Sequence, residues 1–336
     1  MGAEPGKVRR RMMREFVIGR NDAGQRADKF LQKACPALPK SAMYKFIRKK
    51  SIKLNGGRMD IAQKLNEGDV LTLYINDEFF ARAEDSRSFM SAGEKLGIVY
   101  EDDNILLLHK PVGLVVHDDE SGTPDTLINR VLRYLYGKGE YVPDAELSFT
   151  PSLCNRIDRN TEGIVICAKT AEALRVMDQK IRDRELKKLY LCVTVGIPPK
   201  KQARLTAYHS RDERTKTVTV RDKKTAFNKT MITDYRVIAE DRERGLALVE
   251  ADLITGRTHQ IRAHFAHEGF PLLGDGKYGS NRVNREYGLK TQALCSHKLT
   301  FAFTTGAGSL EYLNGRSFTT GRVWFAERFF PGVSYR

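Results

Sequence analysis

Asn155-Arg156-Ile157-Asp158-Arg159-Asn160-Thr161-Glu162-Gly163 runs directly into Ile164-Val165-Ile166-Cys167. A charge-dense loop followed by an unbroken apolar run reads as a loop delivering a buried strand. Thr170 then reads as the cap of a helix whose Leu174, Met177 and Ile181 line one face. Working outward, apolar segments between turn residues predict strands near 98–100, 105–109, 189–195, 204–208, 217–221, 231–239, 246–253, 293–303 and 321–325. Helical spacing predicts helices near 126–136 and 258–268. Strands outnumber helices and rarely alternate strictly with them. The expected fold class is α+β, with a mixed, largely antiparallel sheet flanked by helices rather than a doubly wound parallel sheet.

Upstream the texture differs. Ala27, Phe30, Leu31 and Ala34 recur at helical spacing, and Ser41 reads as the cap of a second helix over 42–50 with Phe46 and Ile47 turned inward. Lys45, Arg48, Lys49 and Lys50 share its other face. Ile52 to Gly57 reads as a strand entering a tight turn, and 70–75 as a closing strand. The polar stretch that follows reads as a linker. The division expected is a small unit at 14–78, a linker at 79–95 and a larger unit at 96–336.

A chain of 336 residues is too long for one small core, and 41% hydrophobic content suffices for packed interiors. Lys and Arg number 57 against 42 Asp and Glu, a net charge of +15 that points to a polyanionic partner. Anionic membrane is the competing polyanion, but no amphipathic anchor is visible, and no apolar run is long enough to span a bilayer. Cys35, Cys154, Cys167, Cys192 and Cys295 form no C-x-x-C pair, so buried free thiols in a reducing cytoplasm are expected. The basic residues before Phe16 lack the apolar stretch of a secretory signal and read as a short lead-in, with Met12 or Met13 a sensible start.

Two constellations carry candidate chemistry. Asp158 lies between two arginines, cations that favour an ionised carboxylate able to act as nucleophile or base; a structural ion-pair cluster would read the same way. The second is Gly256-Arg257-Thr258-His259-Gln260-Ile261-Arg262-Ala263-His264 at a strand-to-helix junction. Arg257, at the helix start, could reach another segment's carboxylate as a two-pronged partner. His259, His264 and His267 suggest a metal, but no carboxylate or cysteine at ligand spacing completes a set, so no metal is expected.

The segment from Cys154 to Thr170 resembles the signature of the RluA-type pseudouridine synthases. Further stretches agree in order: Lys110-Pro-Val-Gly-Leu-Val-Val-His117, Thr126 to Asn129, Lys187-Lys-Leu-Tyr190, Leu253 to His264, Gly269 to Asp275, and Lys277-Tyr-Gly279. Gly24 to Leu31, Lys40 to Lys50 and Lys53 to Gly56 resemble an S4-type RNA-binding domain, which often precedes that catalytic domain. The resemblance implies isomerisation of uridine to pseudouridine in structured RNA without a cofactor. It implies Asp158 as the catalytic aspartate, Arg257 as its paired arginine and Tyr190 as the ring that stacks on the target base. It also implies Arg156 as the side chain filling the space that the flipped base vacates. Arg159 and the cations Lys45, Arg48, Lys49 and Lys50 join Arg156 as expected RNA contacts. Asn155, Ile157, Asn160 and Glu162 depart from the signature's histidine, leucine, aspartate and serine. Ribosomal RNA is the substrate implied, with transfer RNA the alternative, and nothing demands more than a monomer. A non-catalytic RNA-binding protein or a hydrolase with a carboxylate nucleophile would share part of this pattern. No nucleophile elbow or phosphate loop supports the hydrolase.

Overall fold

A computed structural model describes residues 11–80, 87–118, 122–143, 145–212 and 217–335. The lead-in up to residue 10 and linker residues 81–86 lie outside the described residues.

The chain divides into two compact units. The first holds β1 (Arg11–Val17), α1 (Ala27–Ala34), α2 (Lys40–Arg48), β2 (Ile52–Leu54) and β3 (Val70–Asn76). Its three strands are antiparallel in the order β1-β3-β2. Phe30, Leu31, Met43, Ile47, Ile52, Leu71 and Leu73 form its buried core. Burying each such side chain stabilises the unit by roughly 1.5–3 kcal/mol. β1 begins earlier than the sequence pattern, which starts at Phe16. Arg11-Met12-Met13-Arg14 carries no alternating pattern, and pairing along the whole of β3 makes it a strand. α2 starts at Lys40, with Pro39 rather than Ser41 at the cap position. The proline's φ of −59° suits that entry, and Ser41 falls inside the first turn.

The expected linker is partly packed structure. Short 3₁₀ turns cover Asp77–Phe80 and Ser88–Ser91. Phe80 joins the first unit's core, and the Phe89 ring lies 5.8 Å from Tyr136 and 5.9 Å from Tyr141. The first unit accordingly runs to Ala92 and takes in Val131–Pro151 and Thr170–Glu172, wider than the 14–78 expected. Aromatic packing between segments far apart in sequence draws this boundary, which a composition shift cannot show.

The second unit is built on β4 (Ile98–Glu101), β5 (Ile105–Lys110), β6 (Ser152–Leu153), β7 (Glu162–Ala168), β8 (Leu186–Val195), β9 (Gln202–Asp212), β10 (Thr217–Arg221), β11 (Lys229–Asp241), β12 (Leu246–Leu253), β13 (Leu294–Phe301) and β14 (Ser317–Thr319). Helices α4 (Ala171–Arg182), α5 (Gln260–His267), α6 (Asn281–Glu286) and α7 (Trp324–Phe329) accompany them, while α3 (Leu127–Gly137) falls mostly in the first unit. The strands form one sheet in the order β10-β9-β11-β12-β8-β13-β7-β5-β4, with β14 on β13 and β6 on β7. Among the named strands of the described residues, only β13 and β7 pair in parallel, so the sheet is mixed and largely antiparallel as expected. One expected strand is a correction. Residues 321–325 turn at Gly321 and enter α7, because Phe325, Ala326 and Phe329 bury at helical spacing.

The parallel crossing positions the signature loop. Gly163 has φ of +122°, and a Cβ there would stand 2.4 Å from the Ser296 carbonyl oxygen. Glycine is therefore required for β7 to approach β13 as the loop ends.

Candidate active site

The loop before β7 is a tight turn in which the Thr161 N–H donates to the Asp158 carbonyl at 3.0 Å. It is anchored from beneath by Lys110 at the end of β5. The fully buried ammonium donates to the carbonyls of Pro111 and Leu114, both at 2.8 Å, and of Arg159 at 2.9 Å. Those bonds use all three of its protons and tie the 111–114 turn to the residue after Asp158. Burial lowers the Lys110 pKa to about 8, while Asp158 and Glu162 pull it upward. Glu162 answers it: burial pushes that carboxyl up to about 7, and Lys110 opposes the rise. Glu162 Oε1 is buried and has no hydrogen-bond partner among the described residues. Asn155, where the signature has histidine, accepts the Ile166 N–H at 2.8 Å through its Oδ1, so here it pins β7.

Asp158 itself stays accessible, its side chain 26% exposed. Its partner is Arg262, not Arg257. Arg262 Nη1 donates to Asp158 Oδ2 at 2.9 Å. The same guanidinium grips the fully buried Asp275 with Nε at 2.7 Å and Nη2 at 3.0 Å. The backbone N–H groups of Lys277 and Tyr278 donate to Asp275 in turn, at 2.9 and 3.1 Å. One planar cation thus spans two carboxylates in a bidentate and a single contact, which lysine could not reproduce. Burial works against the Arg262 charge, but Asp275 and then Asp158 outweigh it and raise its pKa above the ordinary value. Burial likewise opposes the Asp275 charge, and Arg262 overcomes it, lowering the acid's pKa.

Arg257 was expected in this role. Its guanidinium instead donates to the Thr230 carbonyl at 3.2 Å. The reason is helical phase. Arg257 precedes α5, whereas Arg262 lies within the helix and is 8% exposed, where it can reach the Asp158 loop and the Asp275 turn together. Both arginines stood in the same quoted stretch, and sequence spacing did not separate them.

Tyr190 on β8 arrives by register. It pairs with Ser296 on β13, and Ser296 pairs with Gly163 at the end of the loop. The Tyr190 ring is 6% exposed. Burial pushes its hydroxyl up to about 12, a bond to Ser296 opposes this, and the nearby Asp158 charge adds to the rise. Arg156 and Arg159 are exposed, and Arg159 Nε donates to the Gly113 carbonyl at 3.1 Å. Lys45, Arg48, Lys49 and Lys50 are all exposed in the first unit.

Sequence reading missed His259 and Tyr278. His259 takes a left-handed conformation, φ 53°, just before α5. Its Nδ1 lies 2.8 Å from the Tyr278 hydroxyl and its Nε2 3.9 Å from Asp158 Oδ2. Burial lowers the imidazole pKa, with Asp158 opposing. The Lys277-Tyr278-Gly279 motif was the available signal, but only the fold puts it beside Asp158. The other two histidines have separate partners: His264 Nδ1 is 3.0 Å from the Thr233 hydroxyl, and His267 Nε2 is 2.7 Å from Asp222. Among the described residues no group of three or more His, Cys, Asp or Glu is placed to hold a metal. All five cysteines are free. No helix among the described residues is long and apolar enough to cross a membrane.

Comparison with known proteins points the same way. Residues 104–267 match the family described as RNA pseudouridylate synthase. The chain is 31% identical over 293 residues to a Mycoplasma genitalium protein named as an uncharacterized RNA pseudouridine synthase, covering 87% of this chain and 90% of that one. It is 30% identical over 306 residues to ribosomal large subunit pseudouridine synthase C of Vibrio cholerae, covering 88% and 91%. Among solved structures, human RNA pseudouridylate synthase domain containing 4 matches with a TM-score of 0.53 at 21% identity, over 68% of this chain and 89% of that chain. That likeness shows the shared fold.

Proposed function

The chain belongs to the RNA pseudouridylate synthase family, and from that premise we propose that Asp158 is the nucleophile of an isomerase acting on large-subunit ribosomal RNA. The observation that carries the catalytic reading is the 2.9 Å bond from Arg262 to Asp158 Oδ2. It aims the carboxylate and leaves Oδ1 without a protein partner among the described residues, on a side chain open to solvent.

The reaction is an isomerisation. The N1–C1′ bond breaks, the uracil turns, and C5 bonds to C1′; C5 gives up its hydrogen and N1 gains one. Asp158 starts it either by attacking C1′ or by taking the C2′ proton, and both routes need the same aimed carboxylate. Tyr190, un-ionised at neutral pH, borders the detached ring. Arg156, exposed and flanking Asp158, fills the gap left by the flipped base. Residues 14–78 act as an S4-type RNA-binding domain, whose exposed cations Lys45, Arg48, Lys49 and Lys50, at and just after the end of α2, contact phosphates. The ribosomal target rests on the name of the Vibrio cholerae relative.

Carbodiimide mapping of ribosomal RNA from a deletion strain tests this reading. One or more pseudouridine stops should vanish and return with the wild-type gene. Asp158→Asn should bind the same RNA within a few fold and lose at least about a thousandfold in rate, the scale of removing a covalent catalyst. Pseudouridine formed by Asp158→Asn in single-turnover assays, or lost stops in transfer RNA alone, would reject the corresponding half of the proposal.

A further inference from the structure

The turn between β10 and β11 reads Arg221-Asp222-Lys223-Lys224-Thr225-Ala226-Phe227-Asn228-Lys229. Phe227 is 94% exposed, the most exposed large hydrophobic side chain among the described residues. The turn beneath it is built. The buried Asn228 accepts the Thr225 N–H at 2.8 Å and donates to the Lys223 carbonyl at 2.9 Å. The Thr225 hydroxyl accepts the Phe227 N–H at 3.3 Å. Hydrogen bonds therefore shape a turn that holds an aromatic ring out in water, forgoing the roughly 1.5–3 kcal/mol that burying it would supply.

Charge says what the ring meets. Arg221, Lys223, Lys224 and Lys229, its neighbours along the chain, are all exposed. The one acid, Asp222, is engaged by His267 at 2.7 Å. That contact also ties the turn to the last turn of α5, the helix that carries Arg262. Arg257 is bonded to the Thr230 carbonyl at the start of β11. No other large hydrophobic side chain in this segment is exposed, so the turn offers no apolar patch for a protein partner. A single bare ring among cations fits a stacked base with its phosphates.

We propose that this turn is a second RNA contact, in which Phe227 stacks on an unpaired base flanking the target uridine while Arg221, Lys223, Lys224, Lys229 and Arg257 take the adjoining phosphates. The inference rests on the RNA synthase reading and extends it to the form of the substrate: a single-stranded stretch beside the modified position.

The full chain has one tryptophan, Trp324, so Phe227→Trp combined with Trp324→Phe places a lone fluorophore in the turn. Single-stranded decauridylate should quench its emission, and a duplex of the same length should quench far less. Phe227→Ala should weaken binding to a large-subunit ribosomal RNA transcript by about 5- to 100-fold, the range for losing one base–aromatic stack. Phe227→Trp should restore affinity and Phe227→Leu should not. Absent quenching, a Phe227→Leu variant binding as well as wild type, or a response to phosphatidylserine vesicles alone would overturn the proposal. These readouts need no turnover, so their failure would leave the isomerase assignment standing, and an inactive enzyme would leave them measurable.

Discussion

At the end of α2 and just beyond it, Lys45, Arg48, Lys49 and Lys50 all stand in solvent, whereas on α5 the Arg262 side chain is 10% exposed and held by two carboxylates. Both regions are cationic and both are assigned to RNA chemistry, but their charges are organised differently. The α2 cations need only be numerous and outward, because phosphate attraction is long-ranged and tolerant of geometry. Arg262 must be one residue in one orientation, because Asp275 is buried and Asp158 must be aimed. An exposed charge can be exchanged for a neighbour; a buried one is defined by its partners.

The largest test of that contrast is removal of the buried cation. Arg262→Ala strands Asp275 in the interior and should cost about 3–5 kcal/mol of stability, read by urea unfolding. Turnover should fall at least about a hundredfold as Asp158 loses its aim. Arg262→Lys should recover little of either, since the fork is lost. Arg257→Ala should keep its melting temperature and weaken RNA affinity by only a few fold. Reversed outcomes for the two arginines would break the assignment drawn from the geometry.

Replacing Lys45, Arg48, Lys49 and Lys50 together by alanine should leave folding intact and act on salt dependence. If all four meet phosphates, the slope of log affinity against log salt should become shallower by about 3. An unchanged slope would remove α2 from the RNA interface. Substitution is the cleaner choice over deletion, because Leu147 packs on the first unit's core and would be uncovered by truncation.

The smallest expected effect concerns Glu162, half-buried near Lys110 with an Oε1 that has no hydrogen-bond partner among the described residues. Its folded pKa, pushed up to about 7 by burial, lies above the unfolded value of about 4.3. Between those values the native state keeps a proton that the unfolded chain has released, so stability should fall as pH rises from about 4 to about 7. Glu162→Gln should flatten that decline, seen as a few kelvin in Tm across the window. An identical pH profile in the variant would show that the carboxyl is solvated.

Much of the fold was legible. Continuous apolar runs announced β7, β8 and β12, and helical spacing announced α1 and α4, because apolar residues in those patterns are buried wherever they pack. The misplaced element at 321–325 shows the limit: a short apolar run suits a strand or a helix, and the deciding residue, Phe329, lies beyond it. At the site, Asp158 stood out from its charged neighbours and Tyr190 from its motif. His259 and Tyr278 did not, since neither has a local feature separating a site residue from a satisfied one.

The order of residues alone determined that a charge-dense loop precedes a buried strand, that a mixed, largely antiparallel sheet follows a small N-terminal unit, and that the chain is strongly basic. Only the tertiary structure decided which arginine holds Asp158, that residues 131–151 belong with the N-terminal unit, and that Phe227 stands bare beside cations. The physical reason is range. Hydrophobic periodicity and turn chemistry act between near neighbours, whereas ion pairs, strand register and exposure depend on segments up to a hundred or more residues apart that meet only in the folded chain.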